Sequence, residues 1–306
     1  MGFHFNPYDP CVTNREKGGS QHTIRFHVDD IMSSHKDAKV NDEFYLQMND
    51  KYGELKEVSV QRGNTHDFLG MTFEFGNEQV CIRMVEHVSE MINQVPGGIK
   101  KEAISKTPAG QDLFSRNENS PKLCGEAKEG FHSNVAKGIF IVKRGRPDIQ
   151  TAIAVLSTRV CDPSEEDLEK LRRVCRYLNG TKDLFLCLSI DDLNILKWYV
   201  DAAYAVHPDF KSHSGGVLLW GQGTIIVQSI KQKINTRSST EAEIVAVDDL
   251  MNKIVWTKLF VEAQGYSVKE NILFQDNKSA IQLENNGKML SGKRTRAMNI
   301  RYFFCD

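Results

Sequence analysis

The chain has 306 residues, 40% of them hydrophobic and 26% charged, which is room for about two ordinary globular domains. Its formal net charge is −1, which excludes the basic balance of a free-standing nucleic-acid binder and confines any such role to local patches. Seven cysteines without CxxC spacing and nine scattered histidines argue for a reducing compartment and against a disulfide scaffold or zinc site, and no apolar run approaches the ~18 residues of a membrane span.

The N-terminus, Met1-Gly2-Phe3-His4, has neither a basic nor an apolar leader region, so an intracellular protein, cytoplasmic or nuclear, is expected rather than a secreted one. Thr23 to Val28 alternates as a strand and stops at Asp29-Asp30. Ile31-Met32 resumes the apolar run, so His27-Val28-Asp29-Asp30 reads either as a tight turn presenting two functional carboxylates or as an ordinary acidic hairpin turn. Ala38, Val40, Phe44, Met48 and Tyr52 predict a helix that ends at Gly53. Phe68–Phe75 and Gln79–Met84 flank Gly76-Asn77, a hairpin signal. Val85, Val88, Ile92 and Val95 keep helical spacing until Pro96-Gly97-Gly98 stops them. Residues 105–130 are polar and carry Pro108, Gly110, Pro121 and Gly125, the signature of a linker. A helical stretch follows over 131–180, its last helix marked by Ser164 as cap, Asp167 at the capping-box position, Leu168, Leu171, Val174 and Leu178, then Gly180. From about 183 an α/β unit runs to the end.

Within that unit three acids stand out. Asp201 follows the strand Leu196–Val200, Asp276 follows the strand Ile272–Phe274, and Glu243 lies in the first turn of a long helix carrying Ile244, Val247, Leu250, Met251 and Ile254. Carboxylates at strand ends and helix starts can converge, and at ~4 Å two such charges repel by roughly 4 kcal/mol at an effective dielectric near 20. A cation must then neutralise them, and oxygen-only ligands favour Mg²⁺ or Mn²⁺. Two such ions are the usual machinery for in-line attack on a phosphodiester. The competing readings are local. Thr240-x-x-Glu243 is also a capping box, with Glu241 as the acid of an alternative register, and Asp201 and Asp276 can be solvated strand ends. Lys231, Lys233 and Arg237 precede the helix, and Lys288, Lys293, Arg294, Arg296 and Arg301 gather near the C-terminus. They either track the phosphates of a hybrid duplex or form a solvated surface. Trp198, Trp220 and Trp256 sit in apolar stretches and are expected in the core.

The order of short motifs is more specific than any one of them. Gly2-Phe3-His4-Phe5-Asn6-Pro7-Tyr8-Asp9-Pro10-Cys11-Val12 is followed by His27-Val28-Asp29-Asp30, Phe68-Leu69-Gly70-Met71 and Ser105-Lys106-Thr107-Pro108. Then come Arg146-Pro147-Asp148-Ile149 and Arg176-Tyr177-Leu178-Asn179-Gly180-Thr181. This series resembles the reverse transcriptase region of copia-type LTR retrotransposon polyproteins over nearly the whole chain. The segment with Trp198-Tyr199-Val200-Asp201-Ala202, His213-Ser214-Gly215-Gly216-Val217, Ser238-Ser239-Thr240-Glu241-Ala242-Glu243 and Gln275-Asp276-Asn277-Lys278-Ser279-Ala280 is similar to a ribonuclease H domain.

The resemblance implies an α+β or α/β chain in three parts: a partial polymerase palm over 1–110, a linker and helical connection over 111–182, and a ribonuclease H-like mixed sheet with flanking helices over 183–306. It implies that Asp29, with Asp30 beside it, serves the polymerase, that Asp201, Glu243 and Asp276 hold Mg²⁺ or Mn²⁺, and that the partner is an RNA–DNA hybrid or other nucleic acid. His132, Arg146 and Asp148 become packing and positioning residues. His27 replaces the family's usual aromatic. Residues 1–22 are too few for the palm strand that carries the polymerase's other aspartate, so primer extension is not expected from this chain without the missing part of the polymerase. Asn299 and Ala297 occupy the positions of a further aspartate and a histidine, and a neutral amide there is expected to weaken metal binding. The last helix is expected to be cut short before Asp306. The chain is then a retroelement fragment that cleaves RNA in hybrids, an inactive remnant that binds nucleic acid without cutting it, or, with less support, an unrelated α/β scaffold.

Overall fold

The computed structural model describes residues 1–54 and 56–286. Its architecture is mixed α/β, with three four-stranded sheets and helices between and upon them. The first sheet takes its strands in chain order, β1 (His4–Asn6), β2 (Asp9–Lys17), β3 (Ser20–His27) and β4 (Asp30–Ser34), all antiparallel. β3 and β4 are joined by Val28 and Asp29 alone, and Val28, 88% exposed, takes φ 55°. That conformation is unfavourable for a β-branched residue and turns the adjacent acids outward. α1 (Ala38–Tyr52) follows, capped by the Asp37 side chain on Lys39 N, with Gly53 at its C-cap as predicted.

The second sheet begins as the expected hairpin. β5 (Thr65–Phe68) and β6 (Met71–Gly76) lead into β7 (Gln79–Arg83). The turn residues Asn77 and Glu78 take φ 49° and 59°, the mirror-image geometry that matches strand twist. Its fourth strand, β8 (Leu186–Ser189), comes from far downstream and pairs antiparallel with β7. Cys81 and Cys187 face each other across that ladder and form a disulfide. This bridge departs from the reading of the cysteines as arguing against a disulfide scaffold. The pairing of residues 106 apart leaves no trace in local spacing.

α2 (Val85–Gln94), α3 (Gly125–Val142), α4 (Gln150–Ser157) and α5 (Glu165–Gly180) build the largest core. Met91, Phe131, Ile153, Leu171 and Leu178 lie buried at its centre, with Met71 and Ile82 from the second sheet. α3 starts six residues inside the segment expected to be a linker, because Gly125 punctuates its first turn while Phe131, Val135 and Val142 already carry the buried face. The predicted capping box of α5 is present in both directions, Ser164 Oγ accepting from Asp167 N and Asp167 Oδ2 from Ser164 N. Arg146 is buried, with its guanidinium on the Asp148 carboxylate and on both oxygens of Thr181. That bonding agrees with a packing and positioning role for Arg146 and Asp148.

The third sheet has the order β11-β10-β9-β12. β9 (Ile195–Ala203), β10 (His213–Trp220) and β11 (Thr224–Lys231) run antiparallel, and β12 (Glu270–Phe274) lies parallel to β9. The crossover to β12 is α6 (Ser239–Ala263), which covers one sheet face through Ala246, Val247, Leu250 and Ile254 against Leu196, Trp198, Val200 and Leu218. A Cβ on Gly216 of β10 would collide with the Leu250 side chain, so glycine there lets α6 lie close. α7 (Lys278–Asn286) follows β12. Trp198 is fully buried and Trp220 packs on the same core, as expected, but Trp256 is 41% exposed, stacked on Phe260 and donating to the Tyr8 carbonyl. Its apolar neighbours in sequence lie on other faces of α6. No helix among the described residues is long and apolar enough to cross a membrane.

Candidate metal centre

A parallel strand register and a helix cap bring Asp201, Glu243 and Asp276 together. β12 pairs with β9 so that Phe274 aligns with Tyr199, and their rings stack at 4.9 Å. Two residues further along parallel strands, Asp276 comes level with Asp201. The third acid depends on how α6 is capped. Ser238, not Thr240, is the cap: its Oγ accepts from Glu241 N, and Glu241 in turn accepts from Arg237 N. Capping by Ser238 and Glu241 releases Glu243 from that work and turns it inward, 6% exposed between buried Ala242 and Ile244. One carboxylate oxygen from each of Asp201, Glu243 and Asp276 lies within 4.8 Å of the other two.

Gln275 braces the arrangement. Its Nε2 donates to Glu243 Oε2 at 3.1 Å, while its Oε1 accepts from Asp276 N at 2.8 Å and from Asn277 N. Asp201 Oδ1 accepts from Ala202 N. Burial is the largest influence on Glu243 and pushes its carboxyl up to about 7; the Gln275 hydrogen bond opposes this, and the charges of Asp201 and Asp276 add to the rise. Three carboxylates at this spacing, one of them desolvated, offer hard oxygen donors to a small divalent cation. Sequence reasoning assigned no role to Gln275, or to Glu284 of α7, a half-buried acid whose carboxyl is pushed by burial up to about 7. Gln275 stands beside Asp276 in the quoted motif, and that adjacency is the signal that could have found it.

Asp29 and Asp30 are exposed at the β3–β4 turn and border a cleft of about 850 Å³ shared with α1 and residues 56–63. They join no group of three or more potential ligand residues among the described residues. Lys231 is held by Asp209 at 2.8 Å, whereas Lys233 and Arg237 are exposed on the segment leading into α6. Arg294 and Arg296, together with Lys288, Lys293, Arg301, Ala297, Asn299 and Asp306, lie outside the described residues.

No protein-family model matches the chain, and no solved structure matches it. Curated relatives do. The chain is 28% identical over 302 residues, 96% of its length, to the retrovirus-related Pol polyprotein from transposon TNT 1-94 of Nicotiana tabacum. It is 24% identical over 234 residues, 76% of its length, to a putative transposon Ty5-1 protein of Saccharomyces cerevisiae and matches 73% of that protein. The chain belongs to the copia-type retrotransposon Pol polyproteins. It spans 22% of the tobacco polyprotein, so it corresponds to one part of such a retrotransposon product. A shorter relative, the secreted RxLR effector protein 161 of Plasmopara viticola, is 30% identical over 127 residues; the match covers 41% of the chain and 89% of the effector.

Proposed function

We propose that this copia-type segment combines part of a reverse transcriptase palm with a ribonuclease H-like domain, and that it cleaves the RNA strand of RNA–DNA hybrids with Mg²⁺ or Mn²⁺. The observation that carries the reading is the convergence of Asp201, Glu243 and Asp276 within 4.8 Å. The mixed sheet of β11, β10, β9 and β12 under α6 supports it, because Asp201 lies within β9, Asp276 just beyond the parallel strand β12, and the third acid on the crossover helix. In the first sheet, Asp29 and Asp30 belong to no converging group of three potential ligand residues among the described residues.

Divalent cations bound there would activate a water and stabilise the departing 3′ oxygen. Asp201 and Asp276, exposed on one side, would face the scissile phosphate, and Glu243, held by Gln275, would close the site from beneath. Lys233 and Arg237 would meet phosphates of a duplex read by its A-form shape and 2′-hydroxyls. The test is cleavage of a labelled RNA–DNA hybrid by the purified full chain with Mg²⁺ and with Mn²⁺, beside Asp201→Asn. Metal-dependent cutting of the RNA strand that the variant loses is the expected result. A folded wild-type chain that binds the hybrid and leaves it intact with either metal overturns the reading in favour of a binding remnant.

A further inference from the structure

The connection from β9 to β10, residues 204–212, springs from the strand that carries Asp201. In the ladder Asp201 pairs with Gly215 and Ala203 with His213, so the connection starts two residues past Asp201, roughly 7 Å along the strand. A second stretch, residues 232–237, leads from β11 to Ser238, the cap of α6, and so to Glu243. The two stretches are tied to each other. Gln232 N donates to the Ser212 carbonyl at 2.9 Å, and the hydroxyls of Ser212 and Thr236 share a hydrogen bond of 2.8 Å. Asn235 Nδ2 donates to the Asp209 carbonyl at 3.0 Å, and Lys231 Nζ reaches the Asp209 carboxylate at 2.8 Å. The loop is anchored from within by buried His207, whose Nε2 meets His213 Nδ1 at 3.0 Å.

Phe210 stands at the tip of this braced loop. Its N–H donates to the His207 carbonyl at 2.8 Å, and His207 N donates to the Lys211 carbonyl at 3.1 Å. That closed turn holds Phe210 at φ 59°. The side chain is 72% exposed, more than any other Phe, Tyr or Trp among the described residues. A single exposed apolar side chain needs no function. A bulky residue at positive φ does call for a reason, because glycine would sit there without strain. Such strain persists only where surrounding bonds impose it, and it gathers at ligand-binding sites. Tyr204, 43% exposed, opens the same loop, and Lys233 and Arg237 are exposed on the stretch bonded to it. Aromatic rings and cations on one rigid rim suit the sugars and phosphates of a nucleic-acid strand.

We propose that residues 204–212 and 232–237 form one substrate-gripping rim, in which Phe210 packs on the sugars of an RNA–DNA hybrid while Lys233 and Arg237 hold its phosphates. The choice of ligand rests on the hybrid-cleavage reading, but the grip itself needs no metal.

The test is binding of a fluorescein-labelled RNA–DNA hybrid to the full chain, read by anisotropy in chelator over a range of salt, with urea unfolding of each protein. Phe210→Ala is expected to weaken binding by about 10-fold, the effect of leaving part of one phenyl in water, with the salt dependence unchanged. Lys233→Gln is expected to lower the slope of log affinity against log salt by about 1. Phe210→Tyr, which keeps the ring, is expected to bind like wild type. Phe210→Gly is expected to bind as weakly as Phe210→Ala and yet to unfold at a higher urea concentration than it, because glycine accepts positive φ and alanine does not. A ring that only packs would not separate binding from stability in this way. Wild-type affinity in both Phe210→Ala and Phe210→Gly overturns the role of Phe210 and leaves the cleavage reading to its own assay. Binding that depends on Phe210, in a chain that does not cut once Mg²⁺ or Mn²⁺ is restored, upholds the rim and overturns the cleavage reading. A wild type that binds no hybrid overturns both.

Discussion

A carboxylate that is 6% exposed and lies within 4.8 Å of two other acids destabilises the fold whenever it is ionised without a counter-charge. For Glu243 the sign follows from its pKa, raised from the ordinary 4.5 to about 7. Between those values the folded chain keeps a proton that the unfolded chain has released. Metal-free stability therefore falls as pH rises through that window: the penalty is absent below about 4.5 and complete above about 7. Each unit of the shift corresponds to about 1.4 kcal/mol. Glu243→Gln is expected to flatten this fall, gaining roughly 1–3 kcal/mol over wild type at about pH 8 and little at about pH 4.5. Urea unfolding with a chelator at both pH values measures it. Parallel pH profiles for the two proteins would mean that Glu243 pays no such penalty.

At the scale of elements, the start of α6 decides whether Glu243 is a cap or a ligand. The sequence permits Thr240 with Glu243 or Ser238 with Glu241, since both pairs have the spacing of a capping box. The structure takes the second pairing, and a helical offset of two residues rotates Glu243 from the rim to the interior. Ser238→Ala is therefore expected to lower stability by about 1 kcal/mol, and Thr240→Ala by much less. Thermal or urea unfolding of the two variants compares them directly. A larger loss from Thr240→Ala would return Glu243 to the helix cap and weaken the site built on it.

Across the whole molecule, contacts distant in sequence bind the first third of the chain to its middle and last thirds. β8 completes the sheet of β5, β6 and β7. Asn6 Nδ2 donates to the Phe260 carbonyl and Asn14 Nδ2 to Gln264 Oε1 at the end of α6. The Cys81–Cys187 disulfide closes a long loop, and a cross-link of that span stabilises by about 2–4 kcal/mol, chiefly through the unfolded chain. Cys187→Ser is expected to lose that amount under oxidising conditions and to match wild type in excess reductant, as read by denaturant midpoints. Equal midpoints for both proteins without reductant would show that the cross-link does not stabilise the fold.

Sequence alone determined what depends on neighbours a few residues away. The end of α1 at Gly53, the hairpin around Gly76-Asn77 and the capping box of Ser164 and Asp167 are set by turn chemistry and by periods of 2 and 3.6 residues. The three acids that converge were also singled out by their place in apolar strand and helix patterns, although β9 runs on past Asp201 to Ala203. Tertiary structure decided the rest. The level of Asp276 beside Asp201 is a parallel register, and the inward turn of Glu243 is a choice between two equally spaced caps. The Cys81–Cys187 bridge is a strand pairing closed across the intervening helices. Each of these joins residues that no local rule compares, so their chemistry appears only when the sheets and α6 have assembled.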